Sequence, residues 1–544
     1  MKAKQIISGA LVGGLLTLPL MALQYLADQL YGLVFVPFDV FDWMAGLLPG
    51  SVITFGIDAM IDMLRLLGFN VANTAKIAEQ LMAVGQYLVL GIAAGGVYFI
   101  ILYWQKIRPS LIAGVVVGAL FGFPAVAISI ALGDSKVHPL INFIWLMLLY
   151  LIWGVALIGI YGKVLRYEAS TGTHTADQSH LRGVEKLNRR QFVVMLGTGA
   201  ATITVVGTGL GQWLSRREKG STGEAMAHQT EGPDGDPFPN MDDMVLPAPG
   251  TRPEYTPIKD HYQVFIELEP TEIDGATWKL PITGMVTNPL MLSLDDIRNN
   301  YSPRDQYVTL SCISGRIGTT LISTTYWTGI SVQEVLTDAG VQENARYLHI
   351  EAGDGFYETV LLDLIESDPR IMLCYAWDGN VLPVGHGFPL RIWIPDRYGM
   401  KQPKWITSIQ VSDTYKEGYW VSRNWGEVAQ VKTTSVIDTV AVDHIVEKSG
   451  QMYIPVGGIA FSGDRGISKV EIRVNNSTWE EAQLRSPLSE TAWVIWRYEW
   501  PFKIGDHTFE VRCYDGDGVL QELESGSARP DGATGIHSSE KAIA

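Results

Sequence analysis

Cysteine and charge are both scarce in this chain of 544 residues. Its 3 cysteines exclude a disulfide-stapled scaffold, and none are paired at the CxxC spacing typical of zinc or iron–sulfur sites. Charged residues make up only 18% of the chain, and the net charge is −16. Because nucleic-acid binding requires clustered positive charge, this balance disfavours a general nucleic-acid-binding protein and predicts no nucleic-acid partner.

Long apolar stretches are abundant instead, and they lie within the first 215 residues. Crossing the hydrocarbon layer of a membrane takes about 20 apolar residues. Five uncharged stretches are long enough: Gln5–Ala27, Gln80–Gln105, Pro109–Gly133, Pro139–Gly162 and Gln191–Ser215. The alternative, buried helices of a soluble core, is disfavoured because five such stretches recur in one region. The sequence therefore predicts a protein embedded in a lipid bilayer.

Basic residues are concentrated in alternate loops, beside Lys2, beside Arg108 and throughout 163–190. This distribution places the N-terminus inside the cell. Five spans then place the chain after Ser215 on the extracytoplasmic side, although the basic residues at 216–219 oppose this orientation. The expected localisation is multi-pass in the cell membrane. His138 is the only histidine near the first four spans, so the paired histidines of a membrane haem are not expected.

The fifth span has an unusual start. Arg189 and Arg190 are followed by Gln191, Phe192 and a moderately apolar stretch, which resembles the twin-arginine signal that exports folded proteins. The alternative is an ordinary basic flank of a membrane span. We therefore divide the first half into a four-span domain at 1–165 and an export-type segment with the fifth span at 166–215. Residues 57–67, between the first two spans, predict either an amphipathic surface helix or a plain connecting helix.

The second half has the pattern of a soluble protein. Residues 216–256 are rich in Gly, Pro, Ser and Asp and predict a spacer that tethers a catalytic domain to the membrane. Short strands and helices from 257 to 431 predict that this catalytic domain is mixed α+β. The region 432–524 is nearly all strand and predicts a β-sandwich, and a disordered tail is expected at 525–544. The fold class is thus multi-domain, with an α-helical transmembrane region, an α+β domain and an all-β domain.

Cys312 lies where a predicted strand ends and a loop with Gly315 and Arg316 begins. Backbone donors and a nearby cation lower the pKa of a thiol, so this context is typical of a thiolate ligand. The alternative is a buried apolar cysteine of the core, which is the more common role of an isolated cysteine. Cys374 and Cys513 lie in apolar runs and are predicted to be core residues.

A second cluster collects cationic side chains within about twenty residues of chain punctuated by Gly and Pro. It contains His386, Arg391, Lys401 and Lys404. Such a set is able to hold an anionic cofactor phosphate or an oxyanion. Taken alone, the cluster fits solvated surface charge better than a binding site.

Together, the two segments resemble the sulfite oxidase family of molybdopterin-dependent oxidoreductases. The resemblance rests on the Trp278–Gly284 opening, the Cys312 loop, and the run from His386 through Arg391 to Lys404 and Trp405. The β-rich block resembles the C-terminal immunoglobulin-like dimerisation domain of that family, with cues at 466–472 and 476–482. The similarity covers about half of the chain.

The resemblance implies a molybdenum–molybdopterin cofactor with Cys312 as the protein thiolate on the metal. It implies that His386, Arg391 and Lys404, together with the neighbouring Lys401, hold the pterin and its phosphate, and that Arg316 attracts an oxyanion. The sequence departs from the family at Ile313-Ser314-Gly315, where sulfite-oxidising members have an Ala-Gly-Asn-like run. Tyr419 is the candidate for the active-site tyrosine of the family, and packing within an aromatic-rich loop is the alternative.

The expected function is therefore a membrane-anchored, extracytoplasmic molybdenum oxidoreductase that transfers an oxygen atom to or from a small oxyanion or a sulfoxide-type substrate. A separate electron carrier or a membrane complex is the expected partner, and the resemblance also suggests a homodimer through the β-sandwich. The alternative is a cofactor-free structural or docking subunit of a membrane complex. Four spans beyond a simple anchor favour that second possibility, and the joint presence of Cys312, His386 and Arg391 favours the enzyme.

Overall fold

The structure is a computed structural model that describes residues 2–47, 56, 59, 71–105, 107–132, 137–171 and 237–543. The predicted fifth span, the twin-arginine pair and nearly all of the predicted surface helix at 57–67 lie outside these residues. Contacts divide the chain into two units, one formed by Met1–Leu48 and Lys76–Ala225, the other by Pro49–Ala75 and Met226–Ala544.

The described part of the first unit is helical. Its helices are α1 (Lys2–Tyr31), α2 (Val36–Leu47), α3 (Val71–Trp104), α4 (Leu111–Leu132) and α5 (Pro139–Thr171). Four segments in these helices are long and apolar enough to cross a membrane: Ile6–Tyr31, Ala78–Trp104, Leu111–Leu132 and Pro139–Gly162. The prediction of apolar helices at the first four stretches is confirmed.

Glycines bring these helices into close contact. A Cβ atom built on Gly95 of α3 would overlap the Gly9 carbonyl oxygen and lie 2.7 Å from the Cα atom of Gly13 in α1. In the same way, a Cβ atom on Gly154 of α5 would lie 2.5 Å from the Cα atom of Gly118 in α4. Small residues at such crossings let helix backbones approach closely, which is how apolar helices gain packing energy in lipid.

The second unit, described over 237–543, begins with two sheets, of which the first is mixed through the parallel pairing of its strands at 279–284 and 406–412 and the second is antiparallel. The first has the strand order β2-β1-β10-β5-β6 and the second β3-β4-β7-β8, with β9 also paired to β7. The strands of the first sheet are β1 (Lys279–Gly284), β2 (Leu290–Ser293), β5 (Tyr347–Ala352), β6 (Tyr357–Leu361) and β10 (Ile406–Ser412). Those of the second are β3 (Arg304–Ser311), β4 (Ile322–Ser331), β7 (Met372–Trp377), β8 (Asn380–Val381) and β9 (Arg391–Trp393).

Three short helices cover the apolar core between these sheets: α6 (Leu294–Asn300), α7 (Val332–Ala339) and α8 (Leu362–Ser367). Helix α6 begins with a capping box, in which Ser293 and Asp296 satisfy each other's backbone amides. Helix α7 ends at Gly340, whose φ of 67° closes the C-terminus in the left-handed conformation. These signals place α6 and α7 where the sequence predicts helices.

Two antiparallel sheets form the rest of the unit and enclose a core of their own. One contains β11 (Thr434–Val440), β12 (Val446–Lys448), β13 (Gln451–Phe461), β16 (Gln483–Leu484) and β17 (Val494–Pro501). The other contains β14 (Ile467–Val474), β15 (Glu480–Glu481), β18 (Gly505–Asp515) and β19 (His537–Ile543). Cys513 is fully buried in this core, and Cys374 is fully buried in a separate apolar cluster with Trp327 and Trp377, so both are core residues as predicted.

Three boundaries differ from the sequence predictions. The tail predicted to be disordered at 525–544 is ordered over 525–543, because β19 completes the edge of a sheet by pairing along β18. The described part of the predicted spacer, 237–256, packs on the folded unit through buried Phe238 and Tyr255. Residues 262–268, whose β-branched and aromatic side chains predict a strand, form an irregular segment.

Candidate functional site

The loop between β3 and β4 presents Cys312. The Cys312 amide donates to the Leu321 carbonyl oxygen at 3.0 Å, and the Gly315 amide donates to the Cys312 carbonyl oxygen at 3.1 Å. These bonds close the loop tightly. Cys312 is half-buried and packs against the apolar cluster that contains Tyr262 and Trp327.

Burial raises the pKa of the Cys312 thiol, and hydrogen bonding with Ser314, whose hydroxyl lies 3.1 Å from Sγ, lowers it by less. This direction is opposite to the one expected from the sequence, where backbone donors and a nearby cation are predicted to lower it. The apolar surroundings are the physical cause. In the absence of a metal, Cys312 is a thiol at neutral pH, and ligation of a metal ion would deprotonate it.

Sheet pairing places Arg391 inside the same unit. Strand β9 runs antiparallel to β7, with Arg391 opposite Cys374. The Arg391 side chain is buried, its Nη1 donates to the His386 carbonyl oxygen at 2.9 Å, and its Cζ lies 4.4 Å from the centroid of the Trp327 ring. Burial lowers the pKa of Arg391 to about 10, so the guanidinium remains cationic at neutral pH.

His386 ends a short turn beside a second imidazole. Its ring lies 5.1 Å from that of His261, and its Nε2 lies 3.2 Å from the amide nitrogen of Gln263. Burial lowers the pKa of His261 to about 3 and also lowers that of His386 well below its ordinary value. Both rings are therefore neutral hydrogen-bonding groups at physiological pH and add no positive charge to the site.

Four buried polar atoms around this cluster have no hydrogen-bond partner within the described chain: Arg391 Nε, Tyr262 Oη, Trp327 Nε1 and His261 Nε2. The first three are donors, and the fourth is an acceptor because Nδ1 of His261 faces the Tyr262 carbonyl oxygen at 2.8 Å. Buried polar groups normally find partners. A ligand with several acceptor oxygens and at least one donor would satisfy them, and a pterin that carries a phosphate has both, so the residues present fit this group.

Lys404 lies against the turn that ends at His386. Its Nζ donates to the Val264 carbonyl oxygen at 3.0 Å and to the Gly385 carbonyl oxygen at 3.3 Å, and it lies 4.3 Å from the Trp405 ring centroid. The side chain therefore ties the irregular 261–268 segment to the turn that bears His386. Lys404 is half-buried, which suits a cation at the rim of a ligand site.

Lys401 has a different environment from the one predicted. Its Nζ donates to Glu358 Oε1 at 2.7 Å and to the Thr359 carbonyl oxygen at 3.0 Å, and both side chains of the ion pair are buried. Burial raises the pKa of Glu358 even though Lys401 acts to lower it. The structure thus gives the ammonium an internal counter-ion, and we correct the prediction by leaving Lys401 out of the cofactor-holding set.

The two remaining candidates lie in loops. Arg316 is exposed in the loop after Cys312. Tyr419 is half-buried among aromatic rings, with Trp420 at 5.1 Å and Phe356 at 5.5 Å between centroids, and Arg423 stacks on it at 3.6 Å. These contacts match the packing alternative for Tyr419.

Sequence reasoning missed His261, Tyr262 and Trp327. All three are buried next to residues that it did select. Tyr262 begins the 262–268 segment that the sequence predicts as a strand, and His261 directly precedes it, so neither residue was considered for a site. The sequence signal available for this part of the site was the adjacent pair of rings, His261 and Tyr262, directly before Gln263.

Comparison with known proteins shows which families this chain is similar to. A family model described as Oxidoreductase molybdopterin binding domain matches residues 267–420. Mitochondrial sulfite oxidase of Macaca fascicularis is 26% identical over 287 residues, which cover 44% of this chain and 52% of that protein. Nitrate reductase [NADPH] of Fusarium oxysporum is 26% identical over 260 residues, which cover 39% of this chain and 29% of that protein.

A putative protein-methionine-sulfoxide reductase subunit YedZ1 of Azospira oryzae is 28% identical over 162 residues, which cover 29% of this chain and 58% of that protein. The solved structure of the sulfane dehydrogenase SoxCD from Paracoccus pantotrophus aligns with 60% of this chain and 96% of its own, at 16% identity and a TM-score of 0.46. The chain thus spans between 29% and 58% of the length of the three relatives by sequence. Residues 267–420 therefore form a molybdopterin-binding oxidoreductase domain that is similar in sequence to sulfite oxidase and nitrate reductase, and the cofactor that this match implies is molybdenum–molybdopterin.

Proposed function

We propose that this protein is a membrane-anchored oxidoreductase that holds its molybdenum cofactor on the extracytoplasmic side and transfers an oxygen atom to or from a small oxyanion or a sulfoxide. The observation that carries the proposal is the group of buried, unpartnered polar atoms around Arg391 and Tyr262, in the same apolar cluster that Cys312 contacts. A thiol, a cation and unpaired donors converge there, and few ligands other than a metal-bearing anionic cofactor require that combination.

Each residue has a role that derives from its position. Cys312 supplies a soft thiolate ligand to the metal. Arg391, cationic and buried, holds the anionic part of the cofactor, while neutral His386 and the Lys404 ammonium hold its pterin and phosphate groups. Arg316, exposed next to Cys312, attracts the oxyanion. Tyr419 remains the proposed active-site tyrosine, although its observed contacts are with other rings.

When bound, the cofactor supplies two-electron redox chemistry at molybdenum. The chain supplies a dry, apolar wall made of Trp327, Trp377 and Leu310, which strengthens the electrostatic interactions of Arg391. The similar proteins are, by their names, a sulfite oxidase, a nitrate reductase and a putative methionine-sulfoxide reductase subunit. Sulfite, nitrate and a methionine sulfoxide therefore form the first substrate panel.

Metal analysis of the purified full chain tests the assignment. We expect about one molybdenum atom per chain together with pterin fluorescence, and loss of both in Cys312→Ser. Cys513→Ala is the matched control, because Cys513 is buried in the separate β-rich core and should leave the molybdenum content unchanged. A folded wild-type chain without molybdenum or pterin would instead favour the cofactor-free structural subunit.

The resemblance of Arg189 and Arg190 to a twin-arginine signal supports the extracytoplasmic assignment, and the proposed export has its own test. The double substitution Arg189→Lys and Arg190→Lys keeps both positive charges, so the positive-inside signal is retained while the arginine pair is lost. We expect residues 237–543 to stay protected from external protease in this variant and to be cleaved in wild-type spheroplasts. Equal cleavage in both would contradict the export signal.

We further propose that the two antiparallel sheets at 434–543 form an immunoglobulin-like sandwich that supports a homodimer, and that a separate electron carrier or membrane complex exchanges electrons with the enzyme. The long, antiparallel pairing of β13 with β17 and of β14 with β18 supports the sandwich. Sedimentation of the full chain in mild detergent tests the dimer, and co-purifying cytochrome or quinone reactivity tests the carrier.

A further inference from the structure

The loop that carries Cys312 is contacted by the last strand of the chain. A Cβ atom built on Gly318 would lie 2.7 Å from Nε2 of His537 and 2.9 Å from its Cδ2. Gly318 has a φ of 80°, the left-handed region that favours glycine. The imidazole edge of His537 therefore fits against a backbone position where no side chain can be added without displacing it.

His537 is itself held in one orientation. The Ile437 amide donates to Nδ1 of His537 at 3.1 Å. Because a backbone N–H must donate, Nδ1 is the acceptor, and the proton of the neutral ring is on Nε2. The donor edge of the imidazole thus faces Gly318, two residues beyond Arg316.

Arg252 holds the same loop through Asp438, the residue of β11 that follows Ile437. Arg252 pairs with Asp438 through Nη2 at 2.6 Å and Nε at 2.9 Å, and its Nη1 lies 3.4 Å from the Thr319 carbonyl oxygen. Ile437 and Asp438 are adjacent, so a single strand organises both contacts. Within the loop, Ile313 is buried in a core shared with strands of the β-rich region.

We propose that His537, supported by Arg252, is a positioning residue that fixes the 312–319 loop and thereby sets how Arg316 is presented to the oxyanion. The proposal rests on the proposed function for the roles of Cys312 and Arg316. The C-terminal strand is then a part of the active-site architecture rather than an appendage, and the last strand of the chain controls a loop about 220 positions earlier in the sequence.

The test compares His537→Ala with two other variants of the full, cofactor-loaded chain. In His537→Ala we expect KM for the anionic substrate to rise about threefold or more, with kcat and molybdenum content nearly unchanged, because the loop bearing Arg316 is less well oriented. His537→Gln, whose amide nitrogen can occupy the Nε2 position, should recover most of the KM. His507→Ala is the matched control, since His507 also lies in the β-rich region but contacts Trp500 and Asn475.

A second readout does not depend on activity. In the full chain produced without molybdate, Cys312 is the half-buried thiol, while Cys374 and Cys513 are fully buried, so a thiol reagent reports on this loop. We expect His537→Ala to raise the labelling rate of Cys312 about three- to tenfold and His507→Ala to leave it unchanged. Should the His537→Ala chain fail to fold, Gly318→Ala perturbs the same contact from the loop side, and it should likewise accelerate labelling.

The outcomes separate the two proposals. An unchanged KM and an unchanged labelling rate in His537→Ala, or equal changes in His507→Ala, would overturn the positioning role even when the enzyme binds molybdenum through Cys312. Conversely, a chain without molybdenum defeats the proposed function, while the labelling rate still decides whether His537 fixes the loop.

Discussion

Arg391 stacks on Trp327 with its Cζ 4.4 Å from the ring centroid, while its Nε remains without a partner in the described chain. The indole ring thus contacts the guanidinium through a cation–π interaction, and one buried donor of the guanidinium is left without an acceptor. A buried donor without an acceptor costs free energy in the folded protein, and a bound anion would recover it.

Arg391→Met should therefore abolish cofactor retention. We expect molybdenum content to fall about tenfold or more, because the charge-assisted hydrogen bonds are lost while the packing volume is nearly kept. Arg391→Lys should also lose most of the metal, since an ammonium cannot reproduce the planar stack. Arg304→Lys, at a half-exposed pair with Glu334, is the control and should retain full molybdenum. Normal metal content in Arg391→Met would show that the anion is held elsewhere.

Gly387→Ala should damage the same site through the backbone. Gly387 has a φ of 116°, and a Cβ atom there would lie 3.0 Å from Lys404 Cβ and 3.2 Å from Arg391 Cβ. We expect a loss of about 1–3 kcal/mol in stability from backbone strain, together with reduced molybdenum content. Gly355→Ala is the matched control, because Gly355 also has a positive φ, 76°, but nothing within 4 Å of its Cβ position. Equal molybdenum loss in both variants would mean that the contacts with the two cations are irrelevant.

Lys401→Met should be more destabilising at high pH than at low pH. Burial raises the pKa of Glu358, so the folded protein binds the proton of this carboxyl more tightly than the unfolded chain does. The stability that results is fully present below the ordinary glutamate pKa and is lost as the pH rises through the raised pKa. Removing Lys401 eliminates the cation that lowers the pKa of Glu358, so this pKa rises further. The pH range over which the folded protein loses stability therefore extends to higher pH. We expect a cost of about 3–5 kcal/mol near pH 8, the range for an uncompensated buried charge, and a smaller cost near pH 5.

Apparent Tm values of the full chain at the two pH values measure this effect. Lys432→Met, which removes a half-exposed partner of Glu522, should change Tm little at either pH. The double variant Glu358→Gln with Lys401→Met should recover part of the loss, because no charge is left buried. A Tm decrease in Lys401→Met that is the same at pH 5 and pH 8 would contradict the assignment.

Gly95→Val should separate two helices of the first unit. The added side chain would meet the backbone of α1, 2.7 Å from the Cα atom of Gly13, and the backbone cannot move aside as a side chain can. We expect the full chain in detergent to lose about 1–3 kcal/mol or more and to unfold at lower temperature. Gly85→Val on the same helix meets nothing within 4 Å and should be nearly neutral. A thermal-shift assay that finds the two variants equal would argue against close packing of α1 on α3.

The sequence was most informative where a single local signal determines structure. Apolar length predicts the membrane helices, and β-branched runs predict the strand-rich region at 432–524, where the structure has strands such as β14. Among the candidate site residues, Cys312, His386 and Arg391 were found because each stands at a strand end or in a turn marked by glycine.

Long-range contacts explain what the sequence did not reveal. Lys401 looks like a free cation in its Gly/Pro-punctuated segment, but its partner Glu358 is 43 positions away, so only the tertiary fold shows that the charge is already compensated. The polar tail at 525–543 lacks enough apolar residues to predict order, yet β19 gains its stability from backbone hydrogen bonds to β18. His261 and Tyr262 pack against rings from distant parts of the chain, and only the tertiary fold shows these contacts.

Strand β9 has only three residues, and their side chains alternate between two separate buried clusters. Arg391 and Trp393 face the cluster next to Cys312, while Ile392 is buried in the aliphatic core on the other side. Because successive side chains of a strand point to opposite faces, inserting or deleting one residue between Gly387 and Arg391 would exchange these assignments. The Arg391 guanidinium would then lie among isoleucines and leucines, and Ile392 would occupy its place in the cluster next to Cys312. We therefore expect such a length change to remove the guanidinium from the cluster next to Cys312, on which the proposed cofactor site depends.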